Sequence, residues 1–106
     1  MIKVNKLAIF KMVREVGLTP IEDSWEVDVE RYHSRYYGSS STTTYNLKTV
    51  EKVEIEITRN SGSEPFIYIY YVTKSSKVSV DNLRYLLVKY GYTVYWLYRM
   101  IIKIKK

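Results

Sequence analysis

Apolar residues recur at helical spacing in two segments of the chain and alternate with polar residues in others. The segment NKLAIFKMVREVGLTP predicts a helix capped by Asn5 and ended at Gly17. The segment SVDNLRYLLVKYGY predicts a second helix, with Ser79 as a plausible cap and Gly91 at the end. The expected buried stripes are Leu7, Ala8, Phe10, Met12 and Val13 in the first helix and Leu83, Leu86, Leu87 and Tyr90 in the second.

Alternating patterns predict strands. SWEVDVERY and VEKVEIEITR each alternate apolar with charged residues, which is typical of a strand with one buried face. FIYIYYV is apolar or aromatic throughout, so we expect it to be central in the sheet or covered on both faces. TVYWLYRMIIKI is the expected last strand. Ile2 and Val4 also allow a short strand before the first helix. The expected inward residues are Trp25, Val27, Val29, Val53, Ile55, Ile57, Val94, Trp96, Tyr98, Met100, Ile102 and Ile104.

These elements follow the order α-β-β-β-α-β along the chain. Helices interleaved with antiparallel strands usually pack as two layers, with the helices on one face of the sheet. The sequence therefore predicts a single α+β domain over residues 1–106, with a mainly antiparallel sheet of four to five strands.

The inward residues of the first two strands are all odd-numbered, which restricts how they pair. Facing residues of an antiparallel pair have a constant index sum, and here it must be even. A sum of 82 places Trp25 opposite Ile57 and Val29 opposite Val53, whereas a sum of 80 stays open. Extending this ladder predicts a β-ribbon over residues 31–48, turning near GSSSTT and projecting about 20 Å. The alternative is a mobile surface loop.

Charge is distributed unevenly along the chain. The net charge is +6; residues 1–14 hold four bases and no acid, and residues 15–64 hold ten acids and five bases. Residues 31–48 interrupt the acidic middle, since they carry three bases and no acid. Because a basic field favours polyanions, nucleic acid is the first partner to consider.

The residues that usually carry chemistry are scarce. The chain has no cysteine and one histidine, His33, which excludes disulfides, thiol nucleophiles and two-histidine metal sites. Neither a phosphate loop nor a dinucleotide-binding glycine pattern is present. We therefore expect a protein without a cofactor that is not an enzyme.

Alternating acids leave one enzymatic alternative open. A metal-dependent nuclease would require Asp28 to converge with Glu54 or Glu56 in a cleft. A solvated strand face explains the same pattern more simply. The acids concerned are Glu26, Asp28, Glu30, Glu54 and Glu56.

The first functional hypothesis is a nucleic-acid-binding accessory protein whose ribbon contacts the phosphate backbone. Arginine pairs with phosphate, and tyrosine stacks on bases or donates to phosphate oxygens. The alternative is a protein–protein interaction module, since tyrosine is enriched at interfaces, and a homodimer is compatible with both. The candidate binding residues are Arg31, Arg35, Tyr36, Tyr37, Lys48, Lys103, Lys105 and Lys106.

Composition also suggests a setting for the protein. The segments FIYIYYV, YGYTVYWLYRMIIKIKK and RYHSRYYGSSSTTTY, together with the lack of cysteine and the small size, resemble orphan proteins of viruses that infect hyperthermophilic archaea. The resemblance implies an accessory protein acting inside the infected cell, in the host cytoplasm, on nucleic acid or on a host protein. The start of the chain shows no leader pattern, and YGYTVYWLY is too short to cross a bilayer, so we expect no membrane partner.

Overall fold

The structure is a computed structural model that describes residues 4–36 and 38–98. Two helices pack on one face of a five-stranded sheet, which confirms the predicted α+β class. The elements are α1 (Lys6–Glu15), β1 (Glu26–Ser34), β2 (Gly38–Lys48), β3 (Glu54–Asn60), β4 (Phe66–Tyr71), α2 (Lys77–Tyr90) and β5 (Thr93–Tyr98), with short 3-10 turns at Glu22–Ser24 and Lys74–Ser76. The strands lie in chain order across the sheet, and all neighbours are antiparallel except β4 and β5.

Helix α1 begins and ends as its sequence predicts. The Asn5 side chain accepts a hydrogen bond from Ala8 N at 3.1 Å, and Gly17 follows the helix with a φ of 90°. Its buried residues are Ile9, Phe10, Met12 and Val13. The prediction for Leu7 was wrong, because the buried stripe is centred on Ile9 and Leu7 is 80% exposed.

Helix α2 begins earlier than predicted. Its N-cap is Ser76, which ends a 3-10 turn, so the prediction of a cap at Ser79 was wrong. Gly91 ends the helix in the left-handed conformation, as predicted. Val80, Leu83 and Leu87 are buried, whereas Tyr90 is exposed beyond the edge of this stripe.

The sheet contains one strand more than the predicted order. Residues 38–48 form β2, which pairs with β1 on one side and with β3 on the other. The chain reverses between Ser34 and Gly38, which face each other, and Gly38 has the positive φ of 77° that such tight turns favour. Threonine and tyrosine suit a strand, so this segment satisfies β geometry despite its loop-like serines.

Strand β2 lies between the two strands that were expected to pair, β1 and β3, so the predicted pairing does not form. Val27 faces Tyr45, and Tyr45 in turn faces Ile57, so β1 and β3 are not neighbours and the sums of 82 and 80 were both wrong. The inward direction of odd-numbered residues is nevertheless kept. One continuous row across the sheet is Val27, Tyr45, Ile57, Ile67 and Val94.

Strand β1 lies at the edge of the sheet, beyond the area that the helices cover. Val27 and Val29 are 51% and 50% exposed, so the prediction that they are buried was wrong. Trp25 is partly buried and packs against the rings of Phe10 and Tyr45, with centroid distances of 5.9 and 5.6 Å. An alternating pattern thus marks one apolar face of β1, but Val27 and Val29 on that face stay half exposed.

The hydrophobic core lies between the helices and the central strands. Residues of both helices and of β2 to β5 form one buried cluster. Strand β4 is internal, as FIYIYYV predicts, and it buries Ile67, Ile69 and Tyr71 on the helix side. The predicted strand positions Ile2, Met100, Ile102 and Ile104 lie outside the described residues. Within the described part of the chain, no helix has the length and apolar character needed to cross a membrane.

Candidate nucleic-acid interface

The hairpin of β1 and β2 continues past the end of β3. Strand β3 pairs with β2 only as far as Thr42, so the four pairs from Arg31–Ser41 to Ser34–Gly38 form a two-stranded extension. We call this extension, residues 31–41, the ribbon tip. Four pairs at about 3.3 Å each extend about 13 Å, which is shorter than the predicted projection because most of β2 lies within the sheet.

The side of the ribbon tip that faces the helix layer is basic and rich in hydroxyls. Arg31 and His33 on β1 alternate with outward residues and share this side with Ser39 and Ser41 on β2. One open cavity of about 330 Å³ is lined by Arg31, Tyr32, His33, Ser39, Ser40, Ser41 and Ser61. A second, of about 300 Å³, is lined by Ser41, Thr43, Tyr45, Arg59, Ser61 and Gly62.

The two cavities share the lining residues Ser41 and Ser61, and we call them together the serine–arginine groove. Among the described residues that line it, none is acidic. Arg31 lies in its outer half and Arg59 in its inner half, each beside serine hydroxyls. Arginine guanidinium groups and serine hydroxyls are donors that bind phosphate oxygens.

Short hydrogen bonds hold the polar groups of the groove in place. Ser61 N donates to Ser41 O at 2.8 Å, and Ser41 N donates to Ser61 Oγ at 3.0 Å. The second bond uses Ser61 Oγ as an acceptor, so it does not consume the hydroxyl proton, which stays available to an anion. Ser39 Oγ lies 2.7 Å from His33 Nδ1 across the ribbon tip, a contact that no sequence motif indicated.

The opposite side of the same hairpin is acidic. Glu26, Asp28 and Glu30 all project there and are exposed. The hydroxyl of Tyr32 donates to Glu30 Oε2 at 2.6 Å, and this hydrogen bond, together with the charge of Glu30, raises the pKa of Tyr32 above its ordinary value. The hairpin therefore has one basic and one acidic side. The absence of acids from residues 31–48 does not predict this separation, because the acids lie earlier in β1.

The predicted binding residues are only partly brought together. Arg31 lies in the groove, and Arg35 and Tyr36 are exposed at the turn, where Tyr36 is 89% exposed. Lys48 lies at the opposite end of β2, about 30 Å from the turn, and faces Glu54 on the acidic side. Tyr37, Lys103, Lys105 and Lys106 lie outside the described residues.

Sequence reasoning missed Arg59, Ser39, Ser41 and Ser61 as members of this site. Arg59 and Ser61 come from the end of β3 and the turn after it, and only the pairing of β2 with β3 brings them beside the ribbon tip. The alternation along VEKVEIEITR places Arg59 on the same side of the strand as Ile57. This pattern was the sequence signal for Arg59.

The acids of the strands do not converge on a metal-binding cleft. Asp28 lies on β1, and Glu54 and Glu56 lie on β3, with β2 between them. Neighbouring strands are about 4.8 Å apart, so the two sets are separated by about 10 Å. Among residues 4–36 and 38–98, no group of three histidine or acidic side chains is placed to hold a metal ion.

No protein-family model, curated protein or solved structure matches this chain.

Proposed function

We propose that this protein binds nucleic acid through the phosphate backbone, using the serine–arginine groove and the exposed turn of the ribbon tip. The observation that carries the proposal is the groove itself, whose described lining combines Arg31, Arg59 and serine hydroxyls and includes no acidic residue. Phosphate contacts position a protein on nucleic acid without reading its sequence. The proposed binding is therefore independent of base sequence.

The shape of the ribbon tip supports contact with a duplex. A two-stranded ribbon fits the major groove of B-form DNA, which is about 12 Å wide. Arg35 and Tyr36 stand at the end of such a ribbon, and Arg31 lies three residue pairs behind its last pair, Ser34–Gly38, on the basic side. In this arrangement, the acidic side of the hairpin faces away from the phosphates. The lysines at positions 103, 105 and 106 add positive charge to the chain and remain part of the proposal.

The test is a salt titration of binding to duplex DNA, with single-stranded DNA and RNA in parallel. The double variant R31A/R35A removes two exposed cations of the ribbon tip. The control K11A/K89A removes two exposed helix cations, so both variants change the net charge equally. For B-form DNA the slope of log K against log salt changes by about 0.9 per lost phosphate contact, so R31A/R35A should reduce it by about 1.8.

Two outcomes contradict the proposal. One is the absence of wild-type binding at about 50 mM salt, where phosphate contacts are strong. The other is an equal loss of slope in K11A/K89A, which would assign binding to the overall charge and not to the ribbon tip.

The setting suggested by composition stays a prediction. An accessory protein of an archaeal virus would act on nucleic acid in the host cytoplasm, and a homodimer would present two ribbon tips to one duplex. Light scattering at increasing protein concentration measures the oligomeric state directly.

A further inference from the structure

The side of the sheet opposite the helices, which we call the open face, carries a continuous row of aromatic rings. Tyr68 stacks on Tyr95 of the neighbouring strand at 5.3 Å between ring centroids, and on Tyr70 of its own strand at 6.2 Å. Phe66 meets Tyr68 edge to face at 5.6 Å. No described helix packs on this side, because both helices contact the odd-numbered residues of β3 and β4. Tyr95 is 50% exposed.

Carboxylates flank these rings on the adjacent strand. Glu56 is directly opposite Tyr68, and Glu54 is directly opposite Tyr70. Glu26 on β1 lies in the same row across the sheet as Glu56, two strands away. Asp28 lies two residues farther along β1. In the part of the chain that the structure describes, the charged strand residues of the open face are five acids and one base, which sum to −4: Glu26, Asp28, Glu30, Glu54, Glu56 and Lys48.

This acidic face belongs to a chain whose net charge is +6. Within residues 4–36 and 38–98, the carboxylates of Glu26, Asp28, Glu54 and Glu56 form no ion pair. Like charges on one face of a sheet repel one another, so a cationic ligand relieves this repulsion when it binds. A tyrosine face also attracts lysine and arginine, because its ring quadrupole is negative above the plane.

We propose that the open face binds an extended, lysine- and arginine-rich segment of a partner protein. Its cationic side chains lie over Tyr68, Tyr70 and Tyr95 and pair with Glu54 and Glu56 alongside. The aromatic rings alone would also suit the bases of single-stranded nucleic acid, as on other open sheets. The flanking carboxylates decide against that ligand, since they repel phosphates at the distance of one strand.

The open face and the serine–arginine groove are separate surfaces of opposite charge. The groove residues Arg31, His33 and Arg59 lie on the helix side of the sheet, and Tyr68 and Tyr95 lie on the other side. Binding of a cationic segment is therefore independent of the proposed nucleic-acid binding, and either one can fail without the other.

The experiment is a calorimetric titration with three synthetic twelve-residue peptides in which lysine, glutamate or glycine alternates with serine. The lysine peptide should bind, and the other two should not. Variant E54Q/E56Q should weaken binding about tenfold, since two exposed ion pairs are lost. Variant Y95A should weaken it about threefold through loss of a cation–π contact. The control E15Q/D23N removes two exposed acids elsewhere and should bind as the wild type does.

Three results would overturn the proposal. The first is equal binding of the lysine peptide by E54Q/E56Q and by the wild type. The second is binding of a single-stranded thymidine dodecamer that Y95A weakens and E54Q/E56Q strengthens, which would assign the rings to base stacking. The third is self-association that E54Q/E56Q abolishes without any peptide, which would make a second copy of the chain the occupant. Circular dichroism confirms that each variant is folded.

Discussion

Glu51 connects the segment after α1 to the turn between β2 and β3, and its removal is a sharp test of the fold. Thr19 N donates to Glu51 Oε1 at 2.7 Å, and Thr19 Oγ1 donates to Glu51 Oε2 at 2.9 Å. Val50 N donates to Thr19 O at 2.9 Å, and Pro20 forms a β-bridge with Thr49. The carboxylate therefore holds the chain that leads from the helix layer into the sheet.

The substitution Glu51→Ala removes both hydrogen bonds. Hydrogen bonds to charged groups contribute about 1.5–3 kcal/mol each in protected sites, and partial exposure reduces these two below that range, to about 2 kcal/mol in total. Glu51→Gln keeps an acceptor for Thr19 N and lets the amide donate to Thr19 Oγ1, so it should cost about 1 kcal/mol. Urea denaturation at pH 7, followed by circular dichroism, measures both free energies of unfolding.

The pH dependence of this difference has a defined sign. The hydrogen bond from Thr19 N, helped by that from the Thr19 hydroxyl and opposed by burial, lowers the pKa of Glu51 below its ordinary value. The stabilisation is therefore complete above the ordinary glutamate pKa of about 4.3 and is lost as the pH falls through the lower folded value. The free energies of wild type and Glu51→Gln should converge as the pH is reduced from 5 towards 3.

Glu26→Gln is the matched control, because Glu26 is exposed on the edge strand. It should change the free energy of unfolding by less than about 0.5 kcal/mol at every pH. A difference between wild type and Glu51→Gln that stays constant from pH 7 to pH 3 would refute the role assigned to the carboxylate.

Two further predictions concern the sheet and the turn between β2 and β3. Ile67→Ala should reduce the free energy of unfolding by about 2–5 kcal/mol, because Ile67 is completely buried, whereas Val29→Ala should change it by about 0.5 kcal/mol or less. Equal losses of the free energy of unfolding in the two variants, measured by urea denaturation, would show that β1 is covered and is not an exposed edge. Lys52 has a φ of 63°, so Lys52→Gly should be neutral or stabilise by up to about 1 kcal/mol, whereas Lys48→Gly within β2 should destabilise by about 0.5–1 kcal/mol. A loss in Lys52→Gly as large as in Lys48→Gly, measured by thermal unfolding, contradicts this account of the turn.

The local sequence predicts those elements whose ends and faces depend on neighbouring residues alone. Asn5 and the glycines at positions 17 and 91 mark helix ends because capping and left-handed conformations depend on neighbouring backbone alone. The odd-numbered inward face of β3 follows from the two-residue period of a strand. The unbroken apolar run FIYIYYV indicated a central strand, and β4 is one.

Strand order and the covering of apolar faces are tertiary properties, which the local pattern does not set. Residues 38–48 are rich in serine and threonine, which suit a turn as well as a strand, and pairing on both sides makes them β2. Val27 and Val29 alternate as core residues do, but their exposure depends on the reach of helices distant in sequence. The groove likewise requires Ser61 beside Ser41, a contact between residues 20 positions apart. Local pattern sets the direction of a side chain, whereas its surroundings depend on contacts between distant segments.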